Sequence, residues 1–243
     1  MAKQWYIGCS GFYYKDWKEV FYPKGLAQTK WFDFYCEHFN TLELNVTFYR
    51  FPSLNVLQNW YRKAPDGFIF SVKVPKAITH ENRFQGSQSL AMEFYDMLLL
   101  GLAEKLGPVL YQLPPSMHYS PELLEAIISH TDPNFTNVIE FRHISWWRKE
   151  VIDQLTEHGI TFCGVSFPGL INDVMINSST PYYRFHGVPK LYYSKYDEGF
   201  ITRISHQLSA YPVQQAFVYF NNTAEGAALE NARYLAYLIA TNP

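Results

Sequence analysis

Ile139-Glu-Phe-Arg142 alternates apolar and charged side chains. Successive side chains of a β-strand point to opposite faces, so Ile139 and Phe141 share one face while Glu140 and Arg142 share the other. The same alternation runs through Thr41-Leu-Glu-Leu-Asn45, Phe70-Ser-Val-Lys-Val74, Tyr183-Arg-Phe-His186 and Val218-Tyr-Phe-Asn221. Each segment offers an apolar face for helices to cover and a polar face made by Glu43 with Asn45, Ser71 with Lys73, Arg184 with His186, or Tyr219 with Asn221. Gln112, Ser166 and Ser10 occupy comparable places on three further strand-like segments. The polar positions lie toward the C-terminal ends of their strands, the end at which (β/α)8 barrels keep their active sites.

Working outward, strand-like segments start near residues 5, 41, 68, 109, 138, 162, 182 and 216. The mean spacing is about 30 residues, and most intervals carry helical periodicity. Trp31, Phe34, Tyr35 and Phe39 lie at helical spacing, and Ser53 reads as a cap for a helix through Leu57 and Trp60. Phe94, Met97, Leu98 and Leu102 form a third stripe, and Ser120-Pro121 is a cap followed by proline at the first helical position. A helix from about 145 stops at Gly159, residues 167–180 show no helical pattern, and helices through Ile201–Tyr211 and about 224–240 close the chain. Eight strand-plus-helix units predict an α/β fold, a single (β/α)8 TIM-type barrel forming one domain over residues 1–243. An open doubly wound sheet is the weaker reading, because no G-x-G-x-x-G follows the first strand and no Walker loop is present.

With 48% hydrophobic and 17% charged residues among 243, the chain can bury a sizeable core, which excludes a disordered protein. The longest apolar stretches, Met97–Ala103 and Tyr234–Ala240, are far short of the roughly 20 residues a membrane helix needs. The segment Met-Ala-Lys-Gln-Trp-Tyr-Ile-Gly leads straight into a strand without the pattern of a secretory signal, and a cytoplasmic location is expected. Cys9, Cys36 and Cys163 lie far apart, as suits buried thiols in a reducing compartment. A net charge of −2, with Lys and Arg in runs no longer than two, gives no broad footprint for nucleic acid.

The polar face is the candidate site. Five charges, Glu43, Lys73, Glu140, Arg142 and Arg184, are too many to bury for stability alone, since buried ion pairs often only break even against apolar replacements. Two arginines and a lysine suit a small ligand carrying phosphate or carboxylate, held by Arg142 and Arg184, with Lys73 as a third cation. Glu43, Glu140 and His186 are the proton-transfer candidates. Lys73 is a further catalytic candidate as a Schiff-base nucleophile, although pairing with a glutamate is the stronger reading. A divalent metal on Glu43, Glu140 and His186 is the minority alternative; no cofactor and no metal ligand is assigned. His80 and His143 sit in loops just past strand ends, and Asn221-Asn222-Thr223 precedes a helix, where backbone N–H groups bind an anion or cap the helix. The expected binding set is therefore Ser10, Asn45, His80, Gln112, Arg142, His143, Arg184, Tyr219, Asn221 and Asn222. Trp31 and Trp60 read as core, whereas Tyr13, Tyr14, Trp17, Trp146 and Trp147 follow strands one and five and could form a stacking wall.

Several motifs together resemble the YecE-like family, domain of unknown function number seventy-two. They include Ile7-Gly-Cys-Ser-Gly11, Leu42-Glu-Leu-Asn45, Ile78-Thr-His80, Tyr111-Gln-Leu-Pro-Pro-Ser116, Val138-Ile-Glu-Phe-Arg-His143, Arg184-Phe-His-Gly187 and Tyr219-Phe-Asn-Asn222. The resemblance spans about residues 5–232 and implies a TIM-type barrel without an established activity. Its likeness to metal-dependent endonucleases and sugar isomerases is the source of two alternatives to general acid/base enzymology on an anionic substrate. These are metal-assisted phosphodiester hydrolysis and non-catalytic binding of nucleic acid or a nucleotide. Cys9 stands where the family pattern has Thr, and Ser166 where an acid is expected after strand six.

Overall fold

A computed structural model describes residues 3–241. The chain divides into two compact units, residues 1–43 with 164–243, and residues 44–163. In the first, β1 (Gln4–Cys9) pairs in parallel with β9 (Gln215–Phe220), which pairs with β8 (Tyr182–Phe185), which pairs with β7 (Gly164–Ser166). In the second, β3 (Ile69–Lys73), β4 (Leu106–Gln112), β5 (Asn137–Glu140) and β6 (Thr161–Phe162) are consecutive parallel neighbours. The chain passes from the first unit to the second at the end of β2 (Thr41–Leu44).

Parallel neighbours need crossovers, and helices supply them except between β7 and β8. The first unit uses α1 (Trp31–Cys36), α7 (Glu198–Ser209) and α8 (Ala227–Thr241); the second uses the one-turn α2 (Val46–Tyr49), α3 (Leu54–Lys63), α4 (Gln88–Leu102), α5 (Pro121–Ser129) and α6 (Lys149–Glu157). The Ser120 hydroxyl accepts from the Leu123 N–H at 3.2 Å, so the cap read from Ser120-Pro121 is formed. Residues 167–180 carry no helix, as the sequence indicated. Helices α3 and α4 pack closely because Gly101 has no side chain: a Cβ there would sit 2.4 Å from that of Leu57.

The strands are buried on both faces, and the apolar positions of the alternating pattern, among them Leu42, Val72, Val138, Phe185 and Val218, are core. Two readings change. The sixth strand is broken at Cys163: Thr161–Phe162 joins the second unit's sheet, Cys163 donates its N–H to the Ile139 carbonyl, and Gly164–Ser166 joins the first unit's sheet. Trp17 and Trp146 are fully buried, with indole N–H groups donating to the carbonyls of Thr223 and Met117, so they are core and not stacking walls. Trp31 is core as expected, whereas Trp60 is only half-buried.

Candidate functional site

The first unit places its polar positions at the C-terminal ends of parallel strands. Glu43 lies beside Ser10 through an isolated bridge, and both are fully buried. Arg184 of β8 donates to Glu43 Oε1 at 2.6 Å, and the Tyr182 hydroxyl, two residues earlier on the same strand face, donates to Oε2 at 2.6 Å. Burial works to raise the Glu43 pKa, but the Arg184 charge and the hydrogen bonds to the carboxylate outweigh it, so the group is held below its usual range. Burial pushes the Tyr182 hydroxyl well above its usual pKa, with the Glu43 charge adding to the effect, so it remains a donor. His186 is fully buried; its Nε2 lies 3.5 Å from an Arg184 nitrogen and its Nδ1 3.0 Å from Asn221 Nδ2. Tyr219, the register partner of Arg184 on β9, meets the Thr41 hydroxyl at 2.5 Å. Asn222 donates to the Ser194 carbonyl and to Asn231 on α8, tying a loop to a helix. Ser166 accepts from the Tyr196 hydroxyl at 2.8 Å.

The second unit gathers a different set. Lys73 closes β3, with Nζ 2.7 Å from Gln112 Oε1 at the end of β4. Gln112 is the register partner of Glu140 on β5, and Glu140 accepts from Arg142 Nε at 2.5 Å. Lys73, Gln112 and Glu140 thus form a row across three strand ends. Lys73 Nζ also sits 3.9 Å above the Phe48 ring, a cation–π contact. The buried Thr47 hydroxyl fixes that contact, lying 2.6 Å from the Lys73 carbonyl and holding α2 against β3. His80 lies on a single π turn, Ala77–Glu81, and meets Phe48 edge-to-face at 4.9 Å. Its Nδ1 is 2.8 Å from the Thr79 hydroxyl. Burial, then the charges of Lys73 and Arg142, push the His80 pKa down to about 4; Lys76 adds to the shift and Glu81 opposes it. Asn45 Oδ1 is buried with no hydrogen-bond partner among the described residues.

His143 stands apart in role. Its Nδ1 accepts from the Ser145 N–H at 3.3 Å, which caps a short 3-10 turn, and its ring stacks on exposed His118 at 3.7 Å. Among the described residues, no group of three or more His, Cys, Asp or Glu side chains is arranged to hold a metal ion. No described helix is long and apolar enough to cross a membrane.

The sequence located the strand-end polar residues but missed three partners. Tyr182 reads as a strand residue, and Thr47 and Phe48 enter only as part of the motif Thr47-Phe-Tyr-Arg50 that resembles the family. The period-two offset of Tyr182 from Arg184 was the signal for its partner.

The family model for "Protein of unknown function DUF72" matches residues 6–243. The UPF0759 protein YunF of Bacillus subtilis is 25% identical over 268 residues, covering 96% of this chain and 94% of YunF. The crystal structure of a DUF72 family protein from Thermotoga maritima superposes with a TM-score of 0.88 at 29% identity, covering 98% of this chain and 99% of that one. A fusion protein with a xylose isomerase-like TIM barrel matches at a TM-score of 0.52 and 13% identity, covering 98% of this chain and 43% of its own, a likeness of fold alone. The fold is mixed α/β with parallel sheets and is TIM-barrel-like.

Proposed function

The chain belongs to the DUF72 family of proteins of unknown function, and from that premise we propose that its second unit binds a phosphate- or carboxylate-bearing ligand and serves general acid/base chemistry on it. One observation carries the reading: Lys73 and Arg142 both press on a half-buried imidazole, His80, which burial and those two charges hold neutral at neutral pH. Burial is the larger cause, and the part that the two cations add to it would be offset by a bound anion. Arg142 and Lys73 would hold that anion, Gln112 would orient Lys73, and Glu140 and neutral His80 would accept protons. In the first unit, Glu43 and Arg184 hold each other, which supports a framework role in which Arg184 sets the position of His186. The TIM-barrel-like neighbours, matched along nearly the whole chain, support a single (β/α)8-type domain as the reading of the domain organisation.

The test reads His80 itself. Adding inorganic phosphate should move the His80 pKa upward from about 4, followed by the ring-proton resonances in NMR, because a bound anion stabilises the imidazolium. Arg142→Gln should weaken phosphate binding about tenfold, the loss of one charge-assisted contact. An unmoved His80 resonance at saturating phosphate and acetate would overturn the proposal.

A further inference from the structure

Next to Lys73, the second unit has a groove of about 240 Å³ lined by Phe48, Tyr49, Phe51 and Leu90, with Arg50, Lys76 and Glu81 as its charged residues. Phe48 belongs to both places. Its ring takes Lys73 Nζ over one face and His80 at an edge, and it also lines the groove. Tyr49 stands perpendicular to Phe48 at 5.1 Å and is 74% exposed, although a tyrosine ring ordinarily gains by covering itself. Phe51 is fixed from behind by Phe94 of α4, edge-to-face at 5.5 Å. Two aromatic walls are therefore held by packing while a third waits in solvent, directly beside the residues proposed to hold an anion.

From this we infer that the groove is the subsite for the body of the ligand, an aromatic or heteroaromatic ring carrying its phosphate or carboxylate on a short link. The inference rests on the anion-binding reading and adds the chemical class of what the anion is attached to. The volume suits one planar ring with its substituents, and an edge-to-face aromatic corner favours a planar partner over a branched aliphatic one. The link has to be short because Phe48 is common to both places. Of the charged lining residues, Lys76 and Glu81 pair with each other at 2.8 Å, and Arg50 favours a ring whose substituents are polar acceptors.

The experiment compares two monoesters of equal charge, phenyl phosphate and methyl phosphate, by calorimetry on the full chain. Phenyl phosphate should bind about tenfold more tightly, the gain from burying one ring face. In Leu90→Trp, which fills the groove from α4, that ratio should fall to about one. Tyr49→Ala, at an exposed position with little to lose in folding, should reduce the ratio about threefold and provides the reading if Leu90→Trp does not fold. Equal affinities in the unaltered protein, with both esters bound, would overturn the ring subsite and leave the anion site standing. Preference for phenyl phosphate that persists in both variants would overturn its placement in this groove. Failure of both esters to bind would overturn the anion site and the subsite with it.

Discussion

In the first unit, Glu43 and Arg184 are both inaccessible and meet at 2.6 Å, with Tyr182 on the second carboxylate oxygen. In the second unit, Lys73 and Arg142 act on a half-buried histidine whose pKa is depressed first by burial and then by their charges. Both arrangements come from the same sequence device, a charged residue at the C-terminal end of an alternating strand. The difference lies in what the charges act upon. Arg184 acts on a carboxylate that a tyrosine also holds, whereas Arg142, itself paired with Glu140 at 2.5 Å, acts with Lys73 on a neutral histidine as well, and the proposed anion site rests on that added histidine. The charged strand ends of the two units therefore differ in the pattern of their partners.

The largest expected effect breaks the first arrangement. Arg184→Met leaves Glu43 buried without its guanidinium and should cost ~3–5 kcal/mol, read from urea unfolding. Replacing both, Glu43→Leu with Arg184→Met, should recover most of the loss, because the pair stabilises chiefly by not being half-removed. A single-variant cost below about 1 kcal/mol would mean that the carboxylate finds water or protonates, and the framework reading would fall.

A smaller effect sharpens the contrast between two buried lysines of the second unit. Lys105 Nζ donates to the carbonyls of Ala64 and Tyr61 at 2.6 and 2.9 Å, closing the end of α3. Lys105→Met should cost about 1–3 kcal/mol by stranding those carbonyls, with phosphate affinity unchanged. Lys73→Met should do the reverse, lowering phosphate affinity about tenfold for a stability cost near 1 kcal/mol. Calorimetry with phosphate and urea unfolding on both variants tests the pairing; equal profiles would erase the distinction between scaffold and ligand-facing cations.

Much of this was legible because strand alternation is local. Glu140 and Arg142 fall on one face whatever else the chain does, and Ser120-Pro121 caps α5 using a donor only three residues away. What was hidden depends on partners far along the chain. Tyr182 reaches Glu43 across 139 residues, and nothing in Pro181-Tyr-Tyr-Arg184 distinguishes a hydroxyl aimed at a carboxylate from a packed ring. The break at Cys163 was hidden for the same reason, since residues 162–166 read as one strand until their hydrogen bonds show two sheets. His80 read as a loop residue because a single π turn has no sequence period of its own. Trp17 and Trp146 read as a stacking wall from their position after strands one and five, yet an indole that finds a carbonyl for its N–H can be wholly buried.

The smallest effect concerns pH and isolates His80. Its folded pKa of about 4 lies below the 6.5 of an unperturbed histidine. Above pH ~6.5 both folded and unfolded chains carry it neutral, and it contributes nothing. As pH falls from there toward 4, the unfolded chain takes up the proton and the folded one does not, so stability declines and the decline levels off once the folded histidine also protonates. His80→Gln should flatten part of that slope between pH 6.5 and 4. The Glu43 effect runs in a lower window: its depressed pKa adds stability that is present above the ordinary glutamate range and is lost as pH falls through the folded value. His130, also shifted down by burial, supplies a remaining slope in the upper window. The variant is therefore compared with the unaltered protein at each pH, using the urea midpoint. Saturating phosphate should flatten the same slope in the unaltered protein, because an anion between Lys73 and Arg142 brings the folded His80 pKa back toward that of the unfolded chain. If phosphate leaves the slope unchanged while His80→Gln removes it, the potential at His80 is a by-product of packing, and the contrast between the two units loses its functional meaning.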